Sequence, residues 1–296
     1  MDDSNIEIGY KTALKLAKSH YENFPVVSFF VPKELQKDVA VIYWFARTAD
    51  DIADEGETPP VDRNKELNLF LDRFNATLAA DYKTEIDAAL HSTIKTRGLD
   101  PQLFKDLISA FSQDITVSRY NEFYEILDYC SRSANPVGRL ILQLYGYKEE
   151  KLYTLSDKIC TSLQLINFYQ DLSIDFKRNR LYIPIREILS SGLTSDQLLQ
   201  QQDAEGIRNL IKSQVERAVR IMHEGSGLPG ELNLRLKLQI AATINGGLKI
   251  AQKIVESGYS SHIRRPVLSK IDYFIILTKS LSNVFTTSQS DIKKKQ

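Results

Sequence analysis

Apolar residues recur at threes and fours along almost the whole chain, and that period leaves few architectures open. It predicts helices over 33–53, 63–79, 101–117, 123–145, 149–176, 205–224, 231–256 and 268–285, with no clear alternating strand pattern to compete. Turn-forming runs separate them at 55–60 (Glu-Gly-Glu-Thr-Pro-Pro), 97–101 (Arg-Gly-Leu-Asp-Pro), 145–147 (Tyr-Gly-Tyr) and 225–230 (Gly-Ser-Gly-Leu-Pro-Gly). None is long enough to be a flexible interdomain linker. The expectation is an all-α protein with one domain over 1–296, its core running from about 10 to 285 and a flexible tail over 286–296.

Gly225, Gly227 and Gly230 spell GxGxxG, but a dinucleotide fingerprint needs a preceding strand and a βαβ unit. The segment before them is helical and Pro229 sits inside the motif, so a helix-to-helix loop is the better reading. The charge balance excludes another class. Lys and Arg total 38, Asp and Glu total 38, and the net charge is zero, which argues against a broad nucleic-acid footprint. The C-terminal Asp-Ile-Lys-Lys-Lys-Gln is the one basic patch and reads as a solvated tail able to touch anionic lipid weakly.

Cys130 and Cys160 are the only cysteines and form no CxxC, so neither a disulfide framework nor a zinc site is expected. His20, His91, His223 and His262 lack metal-ligand spacing and read as surface or capping residues. The N-terminal Met-Asp-Asp-Ser-Asn-Ile-Glu is acidic where an export signal is basic and then apolar. No apolar run approaches the length of a bilayer span. A cytoplasmic setting is expected, with peripheral contact at the inner membrane.

Two acidic clusters carry the chemistry. Asp50, Asp51 and Asp54 stand in Arg-Thr-Ala-Asp-Asp-Ile-Ala-Asp; Asn167, Asp171 and Asp175 stand in Asn-Phe-Tyr-Gln-Asp-Leu-Ser-Ile-Asp. Each keeps oxygen ligands at i, i+4, about 6 Å of rise on one helical face. The first follows the nearly all-apolar Val39–Ala46, a helix expected to be buried on most faces. The second belongs to a polar stripe, Thr161, Gln164, Asn167, Asp171 and Asp175, flanked by Leu163, Leu165, Ile166, Phe168, Tyr169, Leu172 and Ile174.

Carboxylates enclosed by apolar groups must find a partner, either a bound cation or an arginine network. If the two faces oppose each other across an apolar cavity, they form a cage of hard oxygens for several Mg²⁺ ions carrying a diphosphate. Mg²⁺ typically takes one or two protein carboxylates and fills its octahedron with water and phosphate oxygens. Arg47, Arg180 and Tyr182 flank the clusters and are placed to donate to phosphate oxygens. Phe24, Phe29, Phe30, Tyr43, Phe45, Phe168 and Tyr169 lie near them in sequence and are candidates to stabilise a carbocation, though each taken alone reads as core packing.

Phe45-Ala-Arg47-Thr-Ala-Asp50-Asp51-Ile-Ala-Asp54, and Gln164-Leu-Ile-Asn167-Phe-Tyr-Gln-Asp171-Leu-Ser-Ile-Asp175 with Arg180-Leu-Tyr182-Ile-Pro184, resemble the two aspartate-rich signatures of the squalene/phytoene synthase family. The resemblance covers roughly residues 10–280. It implies the all-α isoprenoid synthase fold around a central cavity. Asp50, Asp54, Asp171 and Asp175 would be catalytic, and with Asp51 and Asn167 would hold Mg²⁺ and the diphosphate.

Four positions depart from the squalene and phytoene synthase pattern. Asn23, before Phe24, stands where serine is usual; Asn135-Pro136 replaces a Gly-X; Gln170 stands where an arginine commonly precedes the motif aspartate; Gly246-Gly247 falls where a tyrosine is expected. Together with Arg264-Arg265-Pro266-Val267-Leu268 they resemble the hydroxysqualene-forming branch of bacterial hopanoid biosynthesis. That branch would convert presqualene diphosphate and water to hydroxysqualene and diphosphate without NADPH. Asn23, Phe24, Tyr43, Arg47, Asn135, Gln164, Asn167, Gln170, Arg180 and Tyr182 would contact substrate. Amides at Asn23, Asn135 and Gln170 would place the water, and the glycine pair would enlarge the cavity or serve close helix packing. The alternatives are head-to-head condensation of two prenyl diphosphates, and a helical scaffold for isoprenoid enzymes. Association with other enzymes of the hopanoid route is a further expectation.

Overall fold

A computed structural model describes residues 3–19, 31–54 and 58–293, with side chains described to 282. The helical period is realised across the described residues. Among the described residues the only extended pairing is an isolated parallel bridge between Arg119 and Leu181. The chain divides into two compact units, residues 1–117 with 135–153, and residues 118–134 with 154–296.

The first unit contains α1 (Asp3–Ser19), α2 (Lys33–Asp54), α3 (Pro60–Leu78), α4 (Glu85–Arg97), α5 (Pro101–Thr116) and α7 (Asn135–Leu144). Its helix ends are cut by local chemistry. Pro60 and Pro101 sit in first turns, where a missing N–H costs nothing. Thr84 and Asp87 close a capping box on α4, and Gly98, at φ 60°, ends it in the left-handed conformation that glycine adopts without a Cβ clash.

α2 runs through the core of this unit. Phe45 is 1% exposed and packs its ring 4.9–5.0 Å from Phe70, Phe74 and Phe104. Two buried carboxylates brace it with full sets of partners. Asp38 takes Arg97 at 2.7 Å and the Thr93 hydroxyl at 3.0 Å; Asp87 takes Arg73 at 2.9 Å and the Thr84 backbone N–H at 2.9 Å.

The second unit contains α6 (Phe123–Ser133), most of α8 (Glu150–Asp175), α9 (Ile185–Ser190), α10 (Ser195–Leu199), α11 (Glu205–Gly225), α12 (Leu234–Glu256) and α13 (Lys270–Lys293). α8 and α11 meet closely, with the Ser162 hydroxyl donating to the Ala218 carbonyl at 2.6 Å. The run holding Gly225, Gly227 and Gly230 is a helix end followed by a short 3₁₀ turn, as the loop reading required.

Three expectations need correction. The helix expected over 123–145 is two, broken at Ala134, because Pro136 has no N–H to donate back to the preceding turn and sits instead in the first turn of the new helix, where that N–H is not needed. His262 is not a surface residue; it is fully buried, and burial pushes its pKa down. Gly247 lines no enlarged cavity, since a Cβ there would lie 2.6 Å from Leu163 Cδ2 and 3.1 Å from Met222 Cε. It serves close approach of α12 to α8 and α11.

Candidate active site

The first acidic cluster occupies the last turn of α2, the negative end of the helix dipole, with no basic residue in that turn. Three carboxylates there repel one another and the dipole, so positive charge must come from elsewhere. Arg47, one turn earlier, supplies part of it: Nε lies 2.7 Å from Asp51 Oδ1 and a terminal nitrogen 3.5 Å from Asp50 Oδ2. Both atoms of the shorter contact are shielded from water, although the Asp51 side chain is 36% exposed. Arg63 donates to the Ala53 carbonyl at 2.7 Å and satisfies one of the terminal acceptors. Asp50 and Asp54 are half-buried, as is Tyr43.

The second cluster lies along the C-terminal half of α8. It is more open than an enclosed polar stripe: Thr161 is buried, Gln164 half-buried, Asn167 exposed, and Asp171 and Asp175 half-buried, with Ile174 41% exposed beside them. Apolar enclosure fails because these residues follow the face of α8 turned away from its contacts with α11 and α12. Asp171 has an arginine partner that local spacing could not reveal. Arg265, 94 residues later, donates Nε to Asp171 Oδ1. The neighbouring Gln170 is 4% exposed, and its amide donates to the Pro266 carbonyl at 2.7 Å. One of its two amide N–H groups is thus engaged by the chain itself.

Beyond Asp175 the chain turns through Phe176–Arg178 and Asn179, the latter at φ 57°, and the Arg180 N–H donates to the Asp175 carbonyl at 2.9 Å. Arg119 grips this turn through the carbonyl and side-chain oxygens of Asn179, and Leu181 N–H donates to the Ser118 carbonyl at 3.0 Å. Tyr182 follows, 6% exposed, its ring stacked at 3.8 Å and 4° on Phe168. Arg180 and Tyr182 are therefore held at the end of the helix that carries Asp171 and Asp175.

The aromatic candidates divide. Phe45 is core, and Tyr169 is fully buried with its hydroxyl donating to Gln214 at 3.3 Å, burial pushing its pKa up. Phe168 joins Tyr120, Tyr129 and Tyr182 in an aromatic group. Asn23, Phe24, Phe29 and Phe30 lie outside the described residues. Asn135 is 8% exposed at the start of α7.

Among the described residues no three His, Cys, Asp or Glu side chains form a ready metal cage. The donors fit a hard cation that takes one or two carboxylates and completes its shell with water and phosphate. Each motif offers partly exposed carboxylate oxygens, and the α2 cluster carries more acid than Arg47 offsets.

The residue pattern from 17 to 272 matches the model of squalene/phytoene synthases. The chain belongs to that family. Hydroxysqualene synthase of Zymomonas mobilis is 32% identical over 251 residues, covering 83% of this chain and 80% of that protein. Chloroplastic phytoene synthase of Daucus carota is 25% identical over 92% of this chain and 70% of that protein. Among solved structures, one described as squalene synthase HpnC from Alicyclobacillus acidocaldarius is 33% identical, with a TM-score of 0.82 over 87% of this chain and 97% of that one. The all-α architecture of this squalene/phytoene synthase family member is thus the fold of its solved relatives.

Proposed function

We propose that the protein converts presqualene diphosphate and water to hydroxysqualene and diphosphate. The observation that carries this reading is the 32% identity to a hydroxysqualene synthase over most of both chains, against 25% to a phytoene synthase. The bond from carbon to the diphosphate oxygen breaks, the cyclopropylcarbinyl cation rearranges, and a water oxygen bonds to carbon and releases a proton. No electron donor enters that balance, and no NADPH is required.

In this reading Asp50, Asp51, Asp54, Asn167, Asp171 and Asp175 hold Mg²⁺, which would neutralise the charge developing on the leaving diphosphate. Arg47 and Arg180 direct N–H donors to the phosphate oxygens, and Tyr182 adds a hydroxyl. Tyr43, Asn135, Gln164 and the residues around Asn23 and Phe24 contact the rest of the substrate.

A second reading, condensation of two prenyl diphosphates, has one specific support, the squalene synthase description carried by the 33% identical solved structure. No helix among the described residues is long and apolar enough to cross a membrane. Exposed Ile271, Phe274 and Leu277 on α13 suit peripheral contact with a membrane that holds so apolar a product. A cytoplasmic location and association with other enzymes of the same route complete the proposal.

Purified protein with Mg²⁺ is incubated without NADPH, with presqualene diphosphate or with farnesyl diphosphate, and the lipids are identified. Hydroxysqualene from presqualene diphosphate alone is the expected result. Presqualene diphosphate formed from farnesyl diphosphate moves the protein to the condensation step, and no turnover of either favours the scaffold.

A further inference from the structure

The chain between α12 and α13 is tied to two consecutive residues of α8. Gln170 donates its amide to the Pro266 carbonyl at 2.7 Å, and Asp171 accepts Arg265 Nε. Residues 265–269 belong to no helix, so their backbone groups have no regular partners. Pro266 has no N–H, and it restricts the backbone of Arg265 to extended conformations. Holding the Pro266 carbonyl therefore fixes where the Arg265 side chain starts.

Both ends of this segment are pinned as well. Ser261 and His262 are fully buried in the turn after α12. At the other end Ser269 caps α13, its backbone N–H and its hydroxyl each donating to Asp272 at 2.7 Å, while Lys253 of α12 lies 2.9 Å from the same carboxylate.

We infer that Gln170 is a positioning residue, whose grip on the Pro266 carbonyl fixes Arg265 against Asp171 and so brings a cation to the second motif from a distant part of the chain. Burial supports the division of roles: Gln170 is 4% exposed, whereas the Arg265 and Asp171 side chains are 30% and 21% exposed. The pair uses Nε of a guanidinium with five N–H donors and one oxygen of a carboxylate with several acceptor sites, so each keeps capacity for a ligand. The inference rests on the diphosphate reading above, since it takes Asp171 as part of that site.

The test is calorimetric titration of the full-length chain with inorganic pyrophosphate in the presence of Mg²⁺, for wild type, Gln170→Met, Arg265→Gln and the double variant, with melting temperatures read alongside. Each single change is expected to weaken binding about tenfold, and the double variant to lose no more than the weaker single one, because both remove the same guanidinium from its place. Additive losses overturn the inference, as does a Gln170→Met protein that melts lower but binds like wild type. Should Gln170→Met not fold, Gln170→Glu, which keeps the shape and loses the donor, takes its place under the same criteria. A wild-type chain that does not bind pyrophosphate with Mg²⁺ overturns the diphosphate reading itself, and this inference with it.

Discussion

The two aspartate motifs answer the same electrostatic problem from opposite distances in sequence. On α2 the counter-charge is local: Arg47 reaches Asp50 and Asp51 from one turn away on the same helix. On α8 it comes from Arg265, delivered by a non-helical segment that Gln170 anchors. A local pair forms with its helix. A distant pair forms only when tertiary structure does, so it is more easily adjusted and harder to read from spacing.

Removing an acid from the second motif gives the largest expected effect. Asp171→Asn lowers turnover of presqualene diphosphate by roughly 1000-fold, on the scale of losing a main electrostatic stabiliser, while far-ultraviolet circular dichroism stays unchanged. Wild-type turnover in that variant would remove the motif from the chemistry. Next comes a control outside both motifs. Arg73→Met strands the buried Asp87 and costs about 3 kcal/mol in urea unfolding, with activity per folded molecule retained. If activity fell instead, buried arginine pairs and motif arginines could not be told apart by role.

A smaller effect separates the local arginine from the distant one. Arg47→Gln weakens Mg²⁺-pyrophosphate binding about tenfold in calorimetry, and by the same factor whether residue 170 is Gln or Met, because Arg47 finds its acids on its own helix. Dependence on residue 170 would erase the contrast. The smallest effect is on pH. The Ser269 hydroxyl and backbone N–H, with Lys253 beside them, hold Asp272 well below the usual carboxylate range. A depressed pKa gives stability that is fully present above about pH 4 and is lost as the pH falls through the folded value. The melting temperature of wild type should therefore drop more steeply below pH 4 than that of Asp272→Asn; parallel curves would show that the α13 cap adds nothing to the strap holding Arg265.

What could be read in advance follows the same divide. Residues 33–53 were legible because Val39, Ile42 and Phe45 keep a helical stripe of large apolar side chains, and the structure buries all three. α1 was not, because its core face is Tyr10, Ala13 and Ala17, too small a stripe to stand out. α4 was hidden for another reason: Asp87 and Thr93 are buried polar groups, so its inner face reads as outer. The aspartates and Arg47 were visible by spacing, and family membership by the motifs. The Arg265 pair was not, although Arg-Arg-Pro was a signal: a proline fixing the chain beside an arginine asks what that arginine is aimed at. For Gly247 the structure decides between the two readings open to the glycine pair, in favour of close packing, with Leu163 and Met222 filling the space of the missing side chain, while one Gln170 amide N–H serves the Pro266 carbonyl, a partner that spacing along one helix does not show.

The break before Pro136 reaches beyond helix geometry. The first unit ends at Val117, resumes at Asn135 and is complete only at Tyr153, and Leu140 and Leu144 of the returning helix belong to its buried core. On a ribosome, where chains emerge from the N-terminus at about 5–20 residues per second, the first five helices must wait for α7 before their core can close. A fragment stopped at Val117 should stay loose and protease-sensitive, whereas one extended through Tyr153 has every segment its core requires.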